Sequence, residues 1–122
     1  MGRRTRRRAK LTTPPSELTA PTSDYRDGEG SLLVLRGSLT PKARREYQAV
    51  LSGGLDREDA WQRATELLFE RLAVSWTIAG LQIDRQKELL GRYRMASASE
   101  RIFVRDSLRA HLAEHFPELE AP

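Results

Sequence analysis

Apolar and polar positions change rhythm several times along this chain, and each rhythm predicts a different element. The longest apolar run is Leu32-Leu33-Val34-Leu35, bounded by Gly30 and Gly37, which reads as a short buried strand. Just before it, Asp27-Gly28-Glu29-Gly30 is a turn signal, because glycine takes positive φ without steric cost. A partner strand is expected at Val74-Ser75-Trp76-Thr77-Ile78, where apolar and polar residues alternate. The same segment also reads as a continuation of the helix before it, and periodicity fits both.

Helical spacing fills most of the remainder. Thr40 as N-cap and Pro41 at the first helical position open one helix. Its stripe is Ala43, Tyr47, Val50 and Leu51, and Gly53-Gly54 stop it. Asp56 caps a second helix, with Glu58 and Asp59 placed to favour its dipole. Trp61, Ala64, Leu68 and Leu72 form its stripe, Leu67 widens it, and Gly80 then permits a tight reversal. Asp84 is placed to cap a short helix through Leu89-Leu90 that Gly91 ends. Ser97-Ala98-Ser99-Glu100 is a capping box for a last helix with Ile102, Val104, Leu108 and Leu112 as apolar positions. Pro117 closes that helix, and Phe116 is expected to fold back onto the core. Trp61 and Trp76 lie on apolar stripes and read as core.

The expected fold is mainly α with a minor β element: a small bundle of about four helices plus one or two short strands, over residues 25–119. Residues 120–122 read as a tail. Residues 1–24 read as a flexible, disordered basic arm. Pro14, Pro15 and Pro21 remove backbone donors there, and few large apolar groups offset the ordering entropy. A chain of 122 residues is one domain's worth.

Charge sharpens this division. Residues 1–10 carry Arg3, Arg4, Arg6, Arg7, Arg8 and Lys10 and no acid, a charge of +6. The other 112 residues carry 15 basic and 17 acidic side chains, a net of −2. The basic character therefore belongs to the arm, which argues against a uniformly basic, histone-like protein. No apolar run approaches the ~20 residues of a membrane helix, and none follows the arginines as a secretory or twin-arginine leader requires. The absence of cysteine removes disulfides, thiolate zinc sites and cysteine nucleophiles. A cytoplasmic protein that needs no cofactor is expected.

One catalytic pattern is present. His111-Leu112-Ala113-Glu114-His115 matches the H-x-x-E-H pattern of inverted zinc peptidases. Histidines at i and i+4 share a helix face and can grip one metal while the glutamate activates water. Only Glu118 and Glu120 follow, beyond Pro117, so the third ligand and substrate cleft of such enzymes have no place here. Leu112 belongs to the core stripe, so the histidines are expected to flank it at an exposed helix end, where His115 favours the dipole. No nucleophile elbow, P-loop or dinucleotide fingerprint appears, and an enzyme is not expected.

The basic groups carry more. Arg101, Arg105 and Arg109, spaced i, i+4, i+8, form one stripe on the last helix. With Arg3, Arg4, Arg6, Arg7, Arg8 and Lys10 they are the candidate residues for binding a nucleic acid or an acidic partner. Arg92-Tyr93-Arg94 sets basic groups around an aromatic ring that can stack on a base. The blander alternative is a solvated face in which the arginines pair with nearby acids and Tyr93 is core.

Ser31-Leu-Leu-Val-Leu-Arg-Gly-Ser-Leu-Thr-Pro-Lys-Ala-Arg-Arg-Glu-Tyr joins an apolar strand, a Leu-Thr start and a basic–acidic helix. It resembles the early part of tail assembly chaperones from siphophages of actinobacteria, and the later Val74-Ser75-Trp76-Thr77-Ile78 segment is similar too. The resemblance spans residues 31–90. It implies a non-catalytic helical protein that binds the tape-measure protein and keeps its long apolar helices soluble during tail building. Leu32, Val34, Tyr47 and Trp76 are then structural. Two readings follow. The first is a phage or prophage morphogenesis or adaptor protein acting through protein contacts, as a homo-oligomer or part of a larger assembly, in the cytoplasm or within a phage-like particle. The second is a nucleic-acid-associated protein whose arm binds DNA or RNA backbone without sequence specificity.

Overall fold

The computed structural model describes residues 21–54 and 56–121. The elements run β1 (Thr22–Arg26), β2 (Leu32–Arg36), α1 (Pro41–Leu51), α2 (Arg57–Leu72), β3 (Ala73–Ile78), β4 (Leu81–Ile83), α3 (Gln86–Arg94) and α4 (Ala98–His115). All four strands form one antiparallel sheet in the order β1-β2-β3-β4. The sheet is therefore larger than the one or two strands expected, and the domain is not a plain helical bundle.

Two hairpins account for the extra strands. β1 pairs with β2 in the register Ser23 opposite Leu35 and Tyr25 opposite Leu33. The turn between them is held by Asp27, whose Oδ1 accepts from the amides of Glu29 and Ser31, both at 2.9 Å. Slight burial opposes ionisation of this carboxyl, but those amides outweigh it and hold it below its ordinary value. Because the strand begins at Thr22, the boundary at residue 24 cuts through it. Residues 1–20, with Arg3, Arg4, Arg6, Arg7, Arg8 and Lys10, lie outside the described residues. The second hairpin turns at Ala79 (φ +53°) and Gly80 (φ +81°), the positive-φ pair that a two-residue hairpin turn requires.

The segment left open between strand and helix is a strand. α2 ends at Leu72 and the chain enters β3 with Ala73 already extended. β2 faces it across an irregularity: Val34 lies opposite Ser75 but Leu35 lies opposite Ala73, so Val74 is an extra residue. This bulge resets the alternation, so that Ala73 shares the core face with Leu35 just as Trp76 shares it with Leu33.

The helices cover the sheet face that carries Leu33, Leu35 and Trp76, which join Tyr47, Leu68, Phe69, Leu72, Leu89, Tyr93, Val104, Leu108, Leu112 and Phe116 in one core, with half-buried Tyr25 packed against it. Phe69 sits at its centre, stacked on Tyr93 at 5.0 Å and edge-on to Trp76 at 5.7 Å. The caps at Thr40, Asp56 and the Ser97–Glu100 box form as expected. α3 differs. Its N-cap is Arg85, without a side-chain cap, and it runs through Gly91 to Arg94, so neither Asp84 nor Gly91 has the expected role. At the other end Leu119 is buried and Ala121 packs on the core, while the Tyr47 hydroxyl donates to the Glu120 carbonyl. Residues 120 and 121 thus dock rather than trail. Among the described residues no helix is long and apolar enough to cross a membrane.

Candidate functional site

The H-x-x-E-H histidines occupy the last turns of α4, against the outer strand of the sheet. His111 is not on an exposed helix end, as expected, but fully buried. Counting from Val104 gives the reason: Val104, Leu108, His111 and Leu112 follow the three-and-four spacing that defines one helix face. Ring nitrogen Nε2 of His111 lies 2.8 Å from the Arg36 carbonyl oxygen, and Nδ1 lies 2.8 Å from the Tyr25 hydroxyl. A carbonyl only accepts, so Nε2 carries the proton and Nδ1 accepts from Tyr25. Burial lowers the His111 pKa and keeps the ring neutral, against a smaller opposite pull from the Arg36 carbonyl. Burial likewise raises the Tyr25 hydroxyl. The His115 ring lies 4.5 Å from that of His111, tilted by 44°, and its Nε2 lies 3.1 Å from Ser23 Oγ.

The pair therefore ties α4 to β1. To bind a metal, His111 would surrender one of two buried hydrogen bonds, and among the described residues no cluster of three or more His, Asp or Glu is placed to hold one.

The arginine stripe lies on the exposed face of α4, but its members have different surroundings. Arg101 is turned back: Nη2 donates to the Arg94 carbonyl at 2.9 Å, Nε to the Ala96 carbonyl at 3.3 Å, and its guanidinium sits 5.3 Å over the Tyr93 ring. Arg105 pairs with Asp106 at 3.5 Å. Arg109 lies one turn beyond. Arg92 and Arg94 follow the blander reading, paired with Glu100 and Glu66 at 2.6 Å each. Arg92 holds the Glu100 carboxyl below its ordinary range and caps the Trp76 ring at 5.5 Å. Tyr93 is core, its hydroxyl raised by burial.

Arg101 and Arg105 meet a further feature that the pattern of the sequence does not reveal. Together with Trp61, Thr65, Tyr93 and Ile102 they line a surface groove of about 290 Å³ between α2 and α4. Ile102, expected in the core stripe, is 49% exposed. It lies two residues from Val104, about 200° away around the helix. Trp61 is half-buried rather than core, and lines the groove. The signal available in the sequence was the odd phase of Ile102. A larger cleft of about 400 Å³, between the β2–α1 connection and α3, mixes Arg36 and Arg71 with Glu70 and Asp84 and has no histidine in its lining. No protein-family model matches the chain, and neither a curated protein nor a solved structure matches it.

Proposed function

We propose that this is a non-catalytic assembly or adaptor protein acting through protein contacts, of the kind represented by the tail assembly chaperones of actinobacterial siphophages, working in the cell or within a phage-like particle. The observation that carries the reading is the α2–α4 groove. Tryptophan, arginine and an exposed aliphatic side chain around a recess are the composition of a protein-binding hot spot. The hydrogen bonds that fix Arg101 mean that little order is lost when a partner docks there. The occupant is an amphipathic or apolar helix of a long structural partner such as a tape-measure protein, laid along the groove with its apolar edge on Ile102 and Trp61. The two histidines are spent on structure, which supports a role without catalysis.

The test is suppression of aggregation of a long apolar helical polypeptide, followed by light scattering. The protein is expected to keep the polypeptide in solution. Ile102→Asp should weaken that binding by about tenfold or more, as loss of a central contact does, with its circular dichroism unchanged because the side chain is outside the core. Undiminished scattering with the wild-type protein would end the reading.

A second reading rests on the concentration of Arg3, Arg4, Arg6, Arg7, Arg8 and Lys10 within ten residues: an arm that holds DNA or RNA by its phosphates. Arg101 supports it poorly, since its donors are already directed at backbone carbonyls.

A further inference from the structure

Among the described residues β1 is an edge strand, paired on one side only. The Gly37 amide donates to the Pro21 carbonyl and the Asp27 amide to the Ser31 carbonyl. Since backbone groups alternate along a strand, residues 21, 23, 25 and 27 face β2. The amides and carbonyls of Thr22, Asp24 and Arg26 therefore point outward, and among the described residues nothing pairs with them. The opposite edge, β4, has three residues, whereas β1 has five. Natural edges are commonly blunted by brevity, charged side chains, proline, bulges or cover. β1 is not short, and its two exposed charges, Asp24 and Arg26, are of opposite sign, so a strand that carries the same pair in reverse order meets them with attraction; neither has a hydrogen bond or ion pair among the described residues.

We propose that β1 pairs antiparallel with β1 of a second copy of this chain, with Asp24 opposite the partner's Arg26 and Arg26 opposite the partner's Asp24. This register is two-fold symmetric, so one surface supplies both halves of the interface. The two charged pairs each exchange two backbone hydrogen bonds, and each sets opposite charges side by side on one sheet face. Symmetric registers centred on residue 24 or 26 place Asp24 against Asp24 or Arg26 against Arg26, which like-charge repulsion disfavours, and one centred on residue 23 leaves neither charge opposite its complement. The charge spacing selects a copy of this strand over an arbitrary extended peptide. Tyr25 falls on the two-fold axis, opposite its own copy in the close, non-hydrogen-bonded position. The result is a continuous eight-stranded sheet. None of the groove residues takes part, so the dimer stands or falls apart from the proposed function.

Sedimentation velocity of the full chain across the micromolar range is the first test, with a concentration-dependent dimer expected. Asp24→Lys and Arg26→Glu each replace two attractive pairs by two repulsive ones and should each weaken the dimer by about tenfold or more, with circular dichroism unchanged. The double variant Asp24→Arg/Arg26→Asp should restore it. A second test reads the register. The chain has no cysteine, so Tyr25→Cys introduces a single thiol, about 4.5 Å in Cα separation from its copy across the axis and within disulfide reach. Mild oxidation should link this variant and leave Ser23→Cys, which faces position 27 of the partner, unlinked. A monomer at every concentration, or a dimer indifferent to both single reversals, overturns the proposal. So does linkage through position 23 instead of 25.

Discussion

His111 shows how much one residue's environment decides. Two hydrogen bonds at 2.8 Å hold it between the Arg36 carbonyl and the Tyr25 hydroxyl, and desolvation lowers its pKa against the pull of that carbonyl and of Glu114 nearby. An unfolded histidine titrates near 6.5. Because the folded value lies below that, the unfolded chain binds the extra proton first as pH falls. Stability is therefore complete above the unfolded pKa and is lost as pH drops through the folded one. The melting temperature should fall on acidification from pH 7 toward pH 5. His111→Gln keeps an amide donor for the Arg36 carbonyl without a titrating ring. It should cost about 1–3 kcal/mol at neutral pH and flatten that slope. Thermal melts over this range check it, and an unchanged slope in the variant would assign the acid sensitivity elsewhere.

At the scale of elements, the helices were legible because their ends carry chemistry: Thr40-Pro41, Asp56 and Ser97–Glu100 all cap where their side chains say they should. The sheet was half legible. Leu32–Leu35 announces β2 by its apolar run, and β3 was one of two readings of Val74–Ile78. β1 is invisible to a hydrophobic pattern, because Thr22-Ser-Asp-Tyr-Arg buries only parts of Ser23 and Tyr25, and a hairpin partner supplies its stability. β4 is three residues long and gains its identity from the turn before it. Of the groove only the odd phase of Ile102 was legible, since the rest depends on which helices become neighbours. Gly37 joins these levels. Unlike Gly80 it is not required for its φ. A β-carbon there would lie 2.8 Å from the Pro21 carbonyl oxygen, the acceptor of Gly37's own amide at 2.6 Å. Gly37→Ala must push β1 off β2 and strain the Ser23–His115 contact, costing about 1–3 kcal/mol. A shift of the urea midpoint to lower concentration checks this, and an unmoved midpoint would mean that β1 yields without cost.

Across the whole molecule, charge is divided between a ten-residue segment at +6 and a remainder at −2. Five of the body's 15 basic side chains are engaged by carboxylates. Arg44 pairs with Glu118, Arg71 with Glu46, Arg92 with Glu100, Arg94 with Glu66 and Arg105 with Asp106. Exposed pairs of this kind add little stability, yet each places a carboxylate where a phosphate would have to go. Any binding to nucleic acid should therefore come from Arg3, Arg4, Arg6, Arg7, Arg8 and Lys10. Six phosphates neutralised on duplex DNA give a slope of log affinity against log salt of about −5. A chain starting at Pro21 should lose nearly all of that slope. It retains the Pro21 carbonyl that receives the Gly37 amide and all of β1, so its melting temperature should stay within a few degrees of the full chain's. Starting instead after residue 24 would remove three of the five residues of β1 and the Ser23–His115 contact, and would confuse lost binding with lost structure. If both chains bind DNA with the same steep slope, the phosphates are held by the body, and the stripe of Arg101, Arg105 and Arg109 is where substitutions should follow. If neither binds, the clustered arginines serve an acidic protein partner or none, and a pull-down with the full chain against the chain starting at Pro21 separates the two.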